Sequence, residues 1–477
     1  MEINSNLLPN GWIEVLTADT FSQISTGTKK VKTKDCKAVG KFPVIDQGQA
    51  DIAGFVDDES KVINVVKPLV IFGDHTRAIK WIIKDFVPGA DGTKVLEAAD
   101  FLEPKYFYYQ LRSLELPDKG YARHFRYLNE TLFKVAPLAE QQQIAAKLDE
   151  LLAQVDNLKA RLDNTPKILK RFRQSVLAAA VSGKLTEDWR IQNKLLPLEI
   201  EQIVEALFNN GVTTGNFGKN TDRAPIIQDE EMNLVRMNSC NWPLVRIGAI
   251  CECIVPNRDK PKMFSGGYHW LLTQHFEEQS IRIDYSKIEM GLSELEVSEY
   301  RAKVIAENSV VMTCVGRVGL SAVLSQKAVI NQQLHAFIPN EYILPKFLAY
   351  IIRANIKYYE GKATSTTISY LNKTACNSLP IPLPAIEEQT EIVARVEQLF
   401  AYAEQIEQRV KDAQARVNHL TQAILAKAFS GELTADWRAQ NPELISGDNS
   451  ATALLARIKS ERETVVKPKK TGKKAQA

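Results

Sequence analysis

A gapless internal repeat constrains this 477-residue chain more than any other feature. Residues 137–190 and 385–438 match at 18 of 54 positions with a constant offset of 248 residues. Glu140-Gln141 falls on Glu388-Gln389, and the nine residues from Ser182 to Arg190 (SGKLTEDWR) fall on those from Ser430 to Arg438 (SGELTADWR). Such self-similarity requires one structural unit built twice. In the first copy Ile144, Leu148, Leu151, Val155, Leu158 and Leu162 alternate steps of four and three; in the second, Ile392, Val396, Leu399, Ala403, Ile406, Val410, Ala413, Val417, Leu420 and Ile424 do the same. This is the a/d pattern that holds one apolar stripe against a partner helix over many turns. The spacing predicts two long helices packed on each other, the alternative being two amphipathic helices in separate globules. Pro166 removes a backbone donor and should kink the first helix or split it. Gly183 and Gly431 stand where each apolar pattern stops, as helix-ending glycines do. Trp189 and Trp437 follow as duplicated anchors, suited to capping the helix ends or to docking a partner.

The segments outside the repeat have a different grain. Residues 1–136 and 240–383 carry short strand-like runs, such as Val62 to Val66, Leu69 to Phe72, Val310 to Met312 and Leu334 to Ile338, parted by glycine, proline and polar turns. The two regions echo each other weakly. Tyr127-Leu128-Asn129-Glu130-Thr131 and Tyr370-Leu371-Asn372-Lys373-Thr374 both precede a Glu-Gln helix start, and Asn10-Gly11-Trp12 and Asn241-Trp242-Pro243 stand at the two entrances. The chain therefore divides into a globule (1–136), a long helix (137–190), a helix and linker (191–239, exposed from about Asn209), a second globule (240–383), a second long helix (384–438) and a tail (439–477). The basic end of that tail, from Lys467, is expected to be disordered. The fold class is α+β.

Composition removes several function classes. No apolar run approaches the length of a membrane span, the N-terminus lacks a basic segment leading into an apolar one, and six scattered cysteines make no disulfide framework, so a cytoplasmic setting is expected. Catalytic signatures are missing. No Asn/Asp-Pro-Pro-Tyr/Phe loop of a base-amino methyltransferase occurs, Gly316 and Gly319 lack the third glycine of a dinucleotide turn, and GVTTGNFGKN from Gly211 fails as a phosphate loop at Thr213 and Asn220. Cys251, Cys253 and Cys240 resemble part of a metal site without zinc spacing, and are read as ordinary thiols.

Binding remains. The first globule offers His75, Arg77, Lys80 and Lys84, then Lys119, Tyr121, Arg123, His124 and Arg126; the second offers Arg258, Lys260 and Lys262, then Arg317, Gln332, Gln333 and the loop from Gly361 to Thr367 with Lys362 and Thr364. Lys and Arg neutralise phosphates, and Arg and Gln also read guanine and adenine edges bidentately. With 60 basic and 57 acidic residues the net charge is only +3, so any DNA-binding surface has to be local.

Two variable globules alternating with two matching helices resemble a type I restriction–modification specificity (S) subunit. Pro137-Leu138-Ala139-Glu140-Gln141 with Ile144 carries the likeness, as do Pro382-Leu383-Pro384 through Glu388-Gln389 with Ile392, and the Ser-Gly-x-Leu-Thr ends preceded by Leu177 and Leu425. The likeness spans about residues 10–440, and the first copy departs from it only in having Ala139 where the second has Pro384. It implies two target-recognition domains, each reading one half of an asymmetric bipartite DNA site. It also implies an antiparallel coiled coil of the two helices with pseudo-twofold symmetry, which sets the spacing between half-sites. Partners would be double-stranded DNA, two modification subunits using S-adenosylmethionine, and restriction subunits using ATP and Mg. The chain itself would hold no cofactor or metal and no catalytic residue. Rival readings are a fused methyltransferase or nuclease, and a coiled-coil adaptor that binds proteins.

Overall fold

The computed structural model describes residues 8–90, 92–117, 122–194, 198–214, 240, 242–256, 260–362 and 370–465. The chain divides into two compact units, one of residues 1–163 with 412–477 and the other of residues 164–411. Each cut falls inside a long helix, so each unit combines one globular region with parts of both helices.

In the first unit the incoming strand Ile13–Leu16 pairs antiparallel with the outgoing strand Leu132–Val135, with Ile13 opposite Val135. The globule's two ends thus close on each other, directly before the first long helix. Between them stands a four-stranded sheet in the order Phe21–Ile24, Thr93–Ala98, Leu69–Gly73, Ile79–Ile82, beside a three-stranded sheet of Gly54–Val56, Phe42–Ile45 and Val87–Pro88. Leu69–Gly73 is buried along its whole length, as a continuous apolar run flanked by strands on both sides should be. Val62–Val66, which also read as a strand, makes only an isolated bridge from Ile63 to Phe86.

The second unit repeats the closure. Leu244–Arg246 pairs antiparallel with Pro380–Pro382, a two-stranded ladder that tolerates prolines because each strand has a free edge. Two four-stranded sheets follow, in the orders Cys253–Ile254, Leu334–Phe337, Val310–Thr313, Ser321–Val323 and Gly291–Leu292, Tyr268–Leu271, Ala328–Ile330, Val304–Ile305.

The long helices run Leu138–Val181 and Ile386–Phe429, 44 residues each. Of the two outcomes expected at Pro166, splitting does not occur. A proline costs one backbone bond and a steric adjustment, and the buried Leu169, Val176 and Ala180 beyond it hold the following turns in place. The residues of the expected seam are unevenly buried. Ile144, Leu148, Val155, Ile392, Val396, Ala403 and Val417 are buried; Leu151, Leu162, Leu399, Ile406, Val410, Ala413 and Ile424 are half-buried; Leu158 and Leu420 are 40% and 41% exposed. Near its start the first helix also packs on the sheet-bearing core, where Ile144 and Leu148 join Phe107 and Phe133, and the second does so through Ile392 and Val396.

Contacts within each unit bring opposite helix ends together. In the first unit Gln414 Nε2 donates to Asp163 Oδ1 at 2.8 Å, and Lys147 Nζ, near the start of the first helix, donates to the Leu433 carbonyl beyond the end of the second. In the second unit Arg173 pairs with Glu407 at 2.8 Å, and Arg395 donates to Asp188 at 2.6 Å. The 439–477 segment is more ordered than a tail. A helix covers Ala451–Val465, with Ala451 and Leu454 buried in the first unit's core; the stretch from Lys467 lies outside the described residues. The 191–239 segment likewise contains the helix Ile200–Asn209, and most of its remainder, including residues 215–220 of the phosphate-loop lookalike, lies outside them.

Candidate nucleic-acid interface

The residues duplicated by the repeat build two matching buried joints. In the first unit the Glu140 carboxylate is fully buried and accepts from Trp12 Nε1 at 2.8 Å, Thr434 Oγ1 at 2.6 Å and Arg438 Nε at 3.0 Å. In the second, Glu388 accepts from Trp242 Nε1 at 2.9 Å, Thr186 Oγ1 at 2.8 Å and Arg190 Nε at 2.9 Å. Each arginine also lies over the same tryptophan ring, at 5.8 Å and 5.1 Å from the centroid. The neighbouring glutamines repeat the logic. Gln141 donates to Phe101 O and Ala136 O, and Gln389 to Tyr342 O and Pro384 O. Gly183 and Gly431 end the helices at φ +74° and +82°, and a Cβ there would stand 2.2 Å from Cys240 Sγ or 2.3 Å from Pro9 Cγ. Of the Thr-x-Asp-Trp-Arg motif, the threonine and arginine form the joint, while Trp189 and Trp437 remain half-buried beside it.

Above the first unit's sheet, the turn after Leu69–Gly73 carries the first group of candidate contacts. Asp74 organises it: its carbonyl accepts from His124 N at 2.7 Å, its carboxylate accepts from Phe125 N at 2.9 Å, and Lys94 stands 3.8 Å away. His75 N donates to Gln47 Oε1 at 3.0 Å, and its ring nitrogen Nδ1 lies 3.2 Å from Ala122 O. Arg77 adopts a left-handed φ of 59° and donates to Leu116 O at 3.3 Å. Segments distant in sequence are thereby knitted into one surface, with His75 and Arg77 half-buried and Arg123 and Arg126 exposed. Arg126 is engaged by Glu130 at 2.9 Å, an exposed pair of little energetic weight. Lys80 does not belong to the exposed set. It is 7% exposed, donates to Ala50 O at 2.6 Å and faces Asp46, so it braces the sheet from inside; burial lowers its pKa against the opposing pull of Asp46. Lys119 and Tyr121 lie outside the described residues.

In the second unit the turn after Val310–Thr313 occupies the corresponding place on its sheet. Leu320 N donates to Thr313 Oγ1, and the Thr313 hydroxyl donates to Arg317 O, closing a tight loop around Gly316 at φ +74°. Cys314 N donates to Gln333 O at 2.8 Å, so Arg317 and the Gln332-Gln333 turn are brought together. Arg317 is 57% exposed and pairs with Glu278 at 3.2 Å; Glu278, also held by Lys170 at 2.9 Å, has its carboxyl pushed below the usual range by that lysine. Arg353 braces the loop beneath, donating to the carbonyls of Glu277, Glu278, Ser280 and Ser321; burial lowers its guanidinium to about 10, leaving it charged at neutral pH. Lys260 and Lys262 are exposed on a separate segment. Arg258 and Thr364 lie outside the described residues, and Lys362 ends the helix Ile356–Lys362.

Known proteins resemble this chain in sequence and fold. Residues 240–413 match the family model described as the type I restriction modification DNA specificity domain. The EcoDI specificity subunit of Escherichia coli is 36% identical over 329 residues, covering 68% of this chain and 67% of that one. The chain belongs to the type I restriction enzyme specificity subunits. The EcoBI specificity subunit of Escherichia coli is 39% identical over 349 residues, 71% of this chain and 66% of its own, so the matched part spans about two thirds of these relatives' length. The HsdS subunit from Thermoanaerobacter tengcongensis shares the fold, with a TM-score of 0.51 at 19% identity over 90% of this chain and 100% of that one. Among the described residues, no helix is long and apolar enough to cross a membrane.

Sequence reasoning missed Lys94, which is part-exposed beside Asp74 and lies 5.1 Å over the Phe125 ring. It also saw the duplicated Glu, Thr and Arg without their partners, which lie up to 298 positions away. The signal was present: both copies retain these polar residues, which a solvent-facing helix surface has no need to keep.

Proposed function

We propose that residues 1–136 and 240–383 are two target-recognition domains, each reading one half of an asymmetric, interrupted DNA site. The turns bearing His75, Arg77, Arg123 and Arg126 and those bearing Arg317, Gln332 and Gln333 face the duplex. The two long helices pair antiparallel about a pseudo-twofold axis, set the gap between half-sites, and dock two modification subunits. Those partners, with restriction subunits, supply S-adenosylmethionine, ATP and Mg chemistry in the cytoplasm, and this chain contributes no catalysis.

The matching joints at Glu140 and Glu388 carry the proposal, because the same contacts seat both globular regions on the long helices. A protein with two non-identical readers in equivalent settings suits a site whose halves differ, since reader symmetry and half-site geometry mirror each other. The test is a map of methylated adenines in DNA from cells with and without this gene. Loss of one bipartite motif is expected. Exchange of residues 240–383 for a homologous domain should then change one half only; alteration of both halves together would overturn the modular reading.

A further inference from the structure

Beneath the recognition turn of the second unit, four separate segments deliver three thiols and an imidazole to one buried point. Cys253 lies on Cys253–Ile254, His335 on Leu334–Phe337, Cys314 just after Val310–Thr313, and Cys376 on the short helix Lys373–Asn377. The ladder explains the convergence. Cys253 pairs with Phe337 and Met312 with His335, so Cys253, His335, Met312 and, two residues on, Cys314 share one face of the sheet. The helix carrying Cys376 covers that face. All four residues are 2% exposed or less.

The ligand atoms of Cys253, His335 and Cys376 all lie within 4.8 Å of one another. His335 Nδ1 is 3.3 Å from Cys376 Sγ, and Cys314 Sγ is 3.7 Å from Cys376 Sγ. Zinc bonds of about 2.3 Å to sulfur and about 2.0–2.1 Å to nitrogen give a tetrahedron with edges of about 3.8 Å between sulfurs and about 3.5 Å between sulfur and nitrogen. These two separations match those edges to within about 0.2 Å. Cys314 stands outside the group whose ligand atoms all lie within 4.8 Å of one another, so its Sγ has to turn toward Cys253 and His335 to complete the tetrahedron. A simple apolar thiol cluster accounts for the cysteines as small hydrophobes, but it leaves unexplained why an imidazole is buried with its nitrogen aimed at them. A disulfide would use two sulfurs and strand the third.

We propose that Cys253, Cys314, His335 and Cys376 bind one zinc ion as a structural site in the second recognition domain. The site is closed, with four protein ligands and no position for substrate. Binding to the reduced protein converts three thiols to thiolates and releases three protons to solvent, while the neutral imidazole donates a lone pair; the bound group carries one net negative charge. The ion fastens the sheet to the helix before the outgoing strand. It also fastens the recognition turn, since Cys314 N donates to Gln333 O and Cys314 O accepts from Leu371 N.

The assay is metal analysis of the full chain, purified without chelator, together with Co²⁺ titration of the reduced, metal-stripped chain. About one zinc per chain is expected, with loss of that zinc in Cys253→Ala and Cys376→Ala and retention in Cys36→Ala. Co²⁺ should give a thiolate charge-transfer band in the wild-type chain, a readout that does not depend on the variants folding. Absence of both zinc and that band would overturn the proposal, as would zinc that persists in both cysteine variants or a Cys314–Cys376 disulfide in the chain as purified. None of these readouts depends on DNA binding, so the metal site and the recognition function fail or stand separately.

Discussion

Replacing Glu388 by alanine should destabilise the second unit by about 3–5 kcal/mol, the range for breaking a buried ion pair by removing one partner. The magnitude can be built from the contacts. Trp242 and Thr186 are 6% and 0% exposed, and each would lose its acceptor to a cavity. A buried donor left unsatisfied costs about 1–3 kcal/mol. Arg190 is more accessible and retains the Gly183 carbonyl at 2.6 Å, so its loss is discounted. Two stranded donors and a weakened arginine therefore give the same few kcal/mol. Arg190→Met in the same background should cost less than the sum of the single changes by about 0.5–3 kcal/mol, because the residues share one network. The two units need not unfold together, so hydrogen exchange resolved along the chain is the suitable assay. Protection should fall in residues 164–411. Glu140→Ala should move the loss to residues 1–163 and 412–465. A cost below about 1 kcal/mol in either variant, or strict additivity of the Glu388 and Arg190 changes, would refute the claim that these carboxylates hold the joints.

Arg317→Ala, if the side chain reads a base edge, should cost about 1–3 kcal/mol and relax one position of one half-site; a phosphate contact would instead weaken binding to all sequences and lower the salt slope, as measured by binding of the assembled complex to a site library. Arg77→Ala should act in the same way on the other half-site. Seven residues inserted after Leu162, with seven after Ala413, which adjoins Gln414, the partner of Asp163, preserve the apolar register and add roughly 10 Å to each helix. The same half-sites should then be methylated across a gap longer by about three base pairs, whereas insertions of three or four residues should impair assembly. Arg173 holds the Glu407 carboxyl below its ordinary range, so the pair's stabilisation is complete above the ordinary carboxylate value and is lost as pH falls through the depressed one. Urea melts of wild type and Glu407→Gln should therefore differ at pH 7 and converge as pH falls through the depressed carboxyl value.

The long helices were legible because their evidence is periodic and local. The alternation of fours and threes needs no knowledge of the rest of the chain, and the constant offset of the two copies ties them together. The joints were half legible. Their polar residues are visible as matches between copies, but the bonds to Trp12 and Trp242 cross 128 and 146 positions and leave no local pattern. Lys80 was counted with the candidate DNA contacts because composition shows a basic cluster without showing which members are buried. Here both faces are covered, and Lys80 sits opposite Ile71 with Asp46 and the Ala50 carbonyl waiting for its ammonium. The Cys/His cluster gave only a fragment of signal, at Cys253, because zinc motifs are found by short spacings, and these four side chains are brought together by strand register and a covering helix.

The correspondence between the two units accounts for the helix Ala451–Val465. The second domain is preceded in sequence by the end of the first helix, whose Thr186 and Arg190 complete its joint and whose following helix buries Ile200 and Leu207 in its core. The first domain takes the same parts from the end of the second helix and the segment after it, with Thr434 and Arg438 at Glu140 and with Ala451 and Leu454 in its core. Ala451 N donates to Gly11 O at 3.3 Å, and a Cβ on Gly11 would come within 2.6 Å of Ile445 O, so the incoming strand and the last segment are fitted closely together. Each unit thus takes the start of one helix and the end of the other. Residues 439–465 are then the counterpart of residues 191–209, and they are required in the first unit for the same reason.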